Sequence, residues 1–263
     1  MAAPEPQFIT VGTRENARKI AYLSRRPARG DGLGLMWLIG LKSDMVSTKA
    51  EALAEWTAER GLGYTRFDYS GHGRSGGEFA DAALSDWLDE SEAVFRSLTR
   101  GPQILVGSST GAHVALLLLR RLMERAPDEA KRVRGLALVA PAWDLTDLMW
   151  GQLPDEARRA ILETGQWVRP SPYDPQGYPI TKRFIEDGRR HVFKGADFDP
   201  GRPVLVLQGV MDRDVPVEHA RALKSVLKGD WVRIMEVPDG EHRLSRPEDL
   251  EKLYRLVEQL VER

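Results

Sequence analysis

Short apolar runs alternate with amphipathic stretches along almost the whole chain, and this alternation constrains the fold more than any other feature. The apolar runs predict strands at Gln7–Gly12, Lys19–Ser24, Leu35–Ile39, Thr65–Tyr69, Ile104–Gly107, Gly135–Ala140, Val204–Gln208 and Val232–Val237. The amphipathic stretches predict helices at Thr48–Arg60, Leu84–Thr99, Gly111–Glu124, Val217–Leu227 and Pro247–Glu262. Strand–helix alternation requires crossover connections, so a mostly parallel eight-stranded sheet with helices on both faces is expected. The short connection between the first two strands predicts an antiparallel edge. One stretch breaks the rhythm. Between Trp143 and Gly201 no strand is evident, while helical segments near Asp155–Thr164 and Thr181–Val192 flank a turn through Pro170, Pro172 and Pro175. A small helical lid, residues 143–201 and inserted after the sixth strand, is therefore expected within a single α/β domain spanning 1–263.

Charge and composition exclude several partners. The formal net charge is −1, and arginines are interleaved with acids, which gives no electrostatic case for nucleic acid or an anionic membrane surface. The absence of cysteine excludes disulfides, a thiol nucleophile and cysteine-ligated metal. Met1 to Pro6 has neither a basic nor an apolar signal region, and the longest apolar run, Val114–Leu119, is far too short to cross a bilayer. A cytoplasmic monomer or homodimer without a membrane span is the expectation.

Chemistry enters at Ser109, in Gly107-Ser108-Ser109-Thr110-Gly111. An apolar strand runs into this pentapeptide and an apolar helix runs out of it. A G-x-S-x-G in that setting is the form of a nucleophile elbow, where a sharp turn holds the serine hydroxyl above the sheet. A second match, Gly73-Arg74-Ser75-Gly76-Gly77, follows a glycine-rich turn with no apolar helix after it, and reads as a loop.

A serine hydroxyl needs a base, and the base needs an orienting acid. Both should follow strands, so that all three groups meet at one edge of the sheet. The strand Val204–Gln208 leads to Asp212 and Asp214, both candidate acids. Val232–Val237 leads to His242, the one histidine beyond that strand. Oxyanion donors are expected from the backbone N–H of Thr110 and, in the loop after the third strand, of Leu41, with Gly40 giving the turn room. His72, in Gly71-His72-Gly73, reads as a packing or turn residue. His113 reads as packed, His191 lies in the lid, and His219 opens a helix. No two histidines stand four apart on a helix and no acidic cluster has zinc-like spacing, so neither metal nor cofactor is expected.

Three segments together resemble a known family: Arg66-Phe67-Asp68-Tyr69-Ser70-Gly71-His72-Gly73-Arg74-Ser75, Gly101-Pro102-Gln103-Ile104-Leu105-Val106-Gly107-Ser108-Ser109 and Gln208-Gly209-Val210-Met211-Asp212. They are similar to the α/β-hydrolase superfamily, and within it to the branch of the mitochondrial mycophenolic acid acyl-glucuronide esterase, also a protein S-depalmitoylase. The resemblance runs from the third strand to the last helix. It implies that Asp212, three residues after Gly209 and followed by Val215-Pro216, is the acid. It also implies that Gly240-Glu241-His242 carries the base. The chain departs from the family in having Thr110, Gly111 and Ala112 where Leu-Gly-Gly is common, which implies a smaller, more polar pocket beside the scissile carbonyl. Ile39-Gly40 replaces the common His-Gly pair. No mitochondrial transit peptide is apparent, which suggests a bacterial cytosolic relative.

The expected function is that of a serine hydrolase cleaving carboxylic esters, such as acyl-glucuronides or other small acyl esters, through Ser109, Asp212 and His242 and an acyl-enzyme. An acyl-protein or acyl-CoA thioesterase is the alternative, since both need the same acyl chemistry. A binding member of the fold that does not turn over its ligand is a third reading, disfavoured by the complete set of three side chains. Met45, Met149, Trp150 and Trp167 are candidate pocket residues for an acyl or aromatic group; the same side chains also suit packing of the lid on the sheet.

Overall fold

The computed structural model describes residues 4–171 and 174–263; Pro172, named above in the lid turn, lies outside them. In chain order the elements are β1 (Gln7–Val11), β2 (Arg18–Arg25), β3 (Gly34–Leu38), α1 (Thr48–Glu59), β4 (Gly63–Phe67), α2 (Leu84–Leu98), β5 (Gln103–Ser108), α3 (Thr110–Arg125), α4 (Pro127–Lys131) and β6 (Val133–Val139). There follow α5 (Leu145–Gln152), α6 (Asp155–Thr164), β7 (Gln166–Ser171), β8 (Asp174–Thr181), α7 (Lys182–Gly188), β9 (Val204–Gly209), α8 (Val217–Val226), β10 (Val232–Val237) and α9 (Pro247–Val261).

Eight strands form one sheet in the order β1-β2-β4-β3-β5-β6-β9-β10. β2 pairs antiparallel with both β1 and β4, and every pairing from β4 to β10 is parallel. The parallel strands β3, β4, β5 and β9 are buried at every residue, as strands covered on both faces must be. The outer strands β1 and β10 are largely exposed or half-buried, as expected of edges. Each helix buries one stripe. On α9 that stripe is Leu253, Leu256, Val257 and Leu260, spaced three and four apart. Helix α3 is the exception. It is buried from Thr110 through Leu119, so the apolar run after Ser109 serves as the central helix of the core.

The strand order reverses around β3. The chain runs from β3 out to β4, then crosses back past β3 to β5. Loops leaving β3 and β5 therefore diverge at neighbouring strand ends and open a crevice there, the usual ligand position in open α/β sheets.

The segment between β6 and β9 differs from the expectation in two respects, since α5 is a helix the sequence reading did not name. Besides α5, α6 and α7 it holds an antiparallel hairpin, β7–β8, in which Trp167 faces Ile180 and Val168 faces Pro179. Pro170, Pro175 and Pro179 hide these strands in the sequence. Both strands of a two-stranded ribbon are edges, where proline's missing N–H is tolerated. The insertion is tied down by polar contacts. Asp187 accepts the N–H and hydroxyl of Ser85, both at 2.8 Å, and Asp144 accepts the N–H groups of Phe193 and Lys194 at 2.6 and 2.9 Å.

Candidate active site

Strand β5 ends at Ser108 and α3 begins at Thr110, which leaves Ser109 alone to make the turn. Its backbone takes φ 54° and ψ −115°, a conformation that costs about 1–3 kcal/mol and persists only when its surroundings hold it. They do. The Ser109 N–H donates to Val139 O at 2.8 Å, and its carbonyl accepts from Ala112 at 3.0 Å and Ala142 at 3.3 Å. The turn also needs Gly111. A Cβ there would lie 2.0 Å from Leu38 O and 2.6 Å from Ile39 O, because the first turn of α3 presses on the end of β3.

Three strand ends converge on this serine. The loop after β10 brings His242 Nε2 to 3.1 Å from Ser109 Oγ, and His242 Nδ1 lies 2.8 Å from Asp212 Oδ2 in the loop after β9. Asp212 is 6 % exposed and held firmly. Its Oδ1 accepts the N–H groups of Asp214 and Val215 at 2.9 and 2.8 Å, and Oδ2 also accepts from Gln208 Nε2 at 3.3 Å. Asp214, the other candidate acid, points elsewhere. Its exposed carboxylate lies 3.8 Å from Arg169 in the insertion. Asp212, Asp214 and His242 do offer ligand-type atoms within 4.8 Å of one another. To hold a cation, however, they would have to give up the bond between His242 and Asp212.

Gly40 packs on the elbow: a Cβ there would sit 3.3 Å from Ser108 O and 3.5 Å from Ser109 Cβ. The Gly40–Leu41 turn thus lies against Ser109, opposite the start of α3. Among the described residues, neither the Leu41 nor the Thr110 N–H has a protein acceptor. Thr110 is the first residue of α3, where an N–H has no intrahelical partner.

Of the candidate pocket residues, Met45 and Met149 are buried, and Trp150 and Trp167 are partly buried against the same core. Met45 is fixed through its backbone: its N–H donates to Asp68 Oδ1 at 2.6 Å and its carbonyl accepts from Arg66 at 3.0 Å. Ser75, in the second G-x-S-x-G, is a pin rather than a reactive group, accepting from the Ala21 N–H at 2.8 Å and donating to Asp68 O at 2.7 Å.

Three of the other histidines, His113, His191 and His219, are structural. His113 is fully buried, with Nε2 3.0 Å from His191 O, and burial pushes its ring down to about 3. His219 and Trp143 exchange two 2.8 Å hydrogen bonds while their rings stack. His191 Nε2 lies 2.7 Å from Ser85 Oγ. All three attach the insertion or its flank to the helices beneath.

Two supporting residues escaped the sequence reading. Gln208 is fully buried, and besides Asp212 it donates to Val215 O at 3.0 Å, fixing the acid loop. Its one visible signal is a polar side chain closing an apolar strand. Lys49 on α1 donates to Arg243 O and, at 3.2 Å, to Ser245 Oγ, which braces the histidine loop. Burial, followed by the nearby charge of Arg243, lowers its ammonium to about 8. Nothing in an amphipathic helix sets such a lysine apart.

With this geometry in view, the comparisons with known proteins are consistent with one another. Residues 45–179, which include Ser109, match the family described as serine aminopeptidase, S33. The chain belongs to this family of serine hydrolases, which places it among the α/β-hydrolases. Its relatives point to one branch. Mouse (Mus musculus) mitochondrial palmitoyl-protein thioesterase ABHD10 is 27 % identical over 249 residues, covering 94 % of this chain and 82 % of that one. The solved structure of mouse α/β hydrolase domain-containing protein 10 superposes with a TM-score of 0.84 at 26 % identity, over 98 % of this chain and 99 % of the other. A putative hydrolase from Agrobacterium vitis S4 gives 0.93 at 41 % identity, over 98 % of both chains. The protein is a serine hydrolase related to the ABHD10 branch. Among the described residues, no helix is long and apolar enough to cross a membrane.

Proposed function

We propose that the chain hydrolyses acyl esters through an acyl-enzyme on Ser109, with His242 as base and Asp212 as its orienting acid. The observation that carries this reading is the continuous line from Ser109 Oγ through both ring nitrogens of His242 to Asp212 Oδ2. Asp212 accepts from Nδ1, so Nδ1 carries the proton and Nε2 is left bare toward the serine. As Ser109 Oγ attacks the carbonyl, its proton passes to Nε2, and Asp212 stabilises the imidazolium that forms. The oxyanion is received by the N–H groups of Leu41 and Thr110, each worth about 3 kcal/mol of transition-state stabilisation. His242 then protonates the leaving group, and a water activated by the same ring releases the acid.

Thioesters are the second reading, favoured by the relatives named as palmitoyl-protein thioesterases. A thiolate leaves more readily than an alkoxide, so the same site serves both, and the acyl pocket decides between them. For that pocket we propose Met45, Met149, Trp150 and Trp167, with residues 143–201 as a lid. Fluorophosphonate labelling of the wild type and Ser109→Ala tests the nucleophile. Labelling of the wild type alone is expected; equal labelling of both, or none of the folded wild type, removes the assignment. A matched panel of p-nitrophenyl esters and acyl-CoA thioesters then ranks the two substrate classes.

A further inference from the structure

We propose that His72 is a positioning residue for the oxyanion-binding loop: its ring fixes the peptide of Lys42 and thereby aims the adjoining N–H of Leu41. The inference rests on the reading of Ser109 and Leu41 given above.

The tautomer of His72 follows from its partners. Nδ1 lies 3.2 Å from the carbonyl oxygen of Ser70, which can only accept, so Nδ1 carries the proton. Nε2 lies 3.1 Å from the Lys42 amide, which can only donate, so Nε2 is the acceptor. A neutral imidazole thus ties the Gly71–Gly73 turn to the loop after β3. The ring cannot swing away. It is 5 % exposed and set edge-on against Tyr69, Phe79 and Trp87, with centroids at 5.9, 5.3 and 5.2 Å. Burial lowers its affinity for a second proton, to about 4, so the acceptor persists over the neutral range.

The loop needs such a tie. Lys42 has φ +56°, a left-handed conformation uncommon for a residue with a side chain. One local bond closes the turn, from Ser43 N–H to Gly40 O at 3.1 Å. Asp44 adds local bonds from the Val46 and Ser47 N–H groups, and two further restraints come from the same distant segment as His72. Asp68 Oδ1 accepts the Met45 N–H at 2.6 Å, while its Oδ2 accepts the Arg74 N–H at 2.8 Å. Asp68 fits there because residue 73 is glycine; a Cβ at Gly73 would fall 2.2 Å from Asp68 Oδ2. Asp68 and His72 thus hold the loop at two points, Met45 and Lys42, both beyond Leu41 in the chain, while Gly40 before it packs on Ser109. An oxyanion donor acts only within about 2.7–3.1 Å of the oxygen, so a small rotation of this peptide wastes it.

Three substitutions separate positioning from packing. Glutamine at 72 can place its amide oxygen near the lost Nε2 and accept from Lys42. Asparagine reaches only the Nδ1 position and keeps the bond to Ser70. We expect His72→Asn and His72→Ala to lower kcat on a p-nitrophenyl ester about 10- to 100-fold with KM within about twofold, and His72→Gln to restore most of it. The Ki of an acyl trifluoromethyl ketone, whose adduct carries the oxyanion, should weaken in parallel with kcat/KM across the series, irrespective of melting temperature. Equal kcat for the folded Gln and Asn variants, or a ketone Ki unchanged in both, overturns the inference. Ser109→Ala is assayed alongside. If it retains turnover, the reading of the site fails first; if it is inactive and the His72 series is flat, the positioning role alone fails.

Discussion

Ser109 and Asp214 show how much one residue's surroundings decide. Ser109 is one of several serines in glycine-rich turns, yet among the described residues it alone combines a positive φ with an imidazole nitrogen at 3.1 Å. Ser109→Ala is expected to lower turnover on the order of 10^6-fold, as in other triads whose parts act as a unit, measured with a p-nitrophenyl ester. Asp212 and Asp214 are two residues apart, and the residues alone leave both open as the acid. Burial and bonding separate them: Asp212 is enclosed and bonded to Nδ1, while Asp214 is exposed and facing Arg169. Asp212→Asn should therefore cost orders of magnitude in kcat, and Asp214→Asn less than about threefold. A reversed ranking would transfer the acid's role to Asp214.

At the scale of elements, the elbow is a problem of contact between β3, β5 and α3. Ala in place of Gly111 puts a methyl into the carbonyls of Leu38 and Ile39, which are backbone atoms and cannot step aside. We expect Gly111→Ala to destabilise the protein by about 3 kcal/mol in urea unfolding and to depress activity further by tilting α3. An unchanged unfolding midpoint would mean that the two elements part more easily than their packing implies. The central strands were legible in the sequence as short, mostly apolar runs, because both of their faces are covered, and the long helices because burial of one face imposes a period of 3.6. The β7–β8 hairpin was not. Three prolines break its pattern, and its pairing partner is itself rather than the main sheet.

Across the whole molecule, buried neutral histidines link stability to acid. Burial holds His72 at about 4 and His113 at about 3, below the ordinary 6.5, and it lowers His191 and His219 as well. As the pH falls through 6.5, the unfolded chain takes up protons that the folded chain refuses. Stability is therefore lost from about pH 6.5 downward, until each ring protonates in the fold. Each group contributes about 1.4 kcal/mol per pH unit within its window. Buried Asp68 and Asp144, raised by desolvation, act with the opposite sign, because the folded state protonates them first. Between pH 7 and 5 the urea midpoint should fall, reflecting a loss of unfolding free energy on the order of 2 kcal/mol for each of His72 and His113. Equal midpoints would show that these rings are not held neutral.

The chain's own pattern determined the class of fold, the order of the main-sheet strands and the long helices between them, the elbow at Ser109, and the one histidine that follows the last strand. These are local matters: periodicity, turn chemistry and small residues at a tight bend act over a few neighbours and can be read along the chain. Tertiary structure decided which carboxylate meets His242, which loop lies against Ser109, and that His72 is bonded to the Lys42 peptide rather than merely packed. Those contacts join residues separated by 30 to 69 positions. They exist only once the sheet has set its strand ends side by side, and no local preference of the residues involved encodes them.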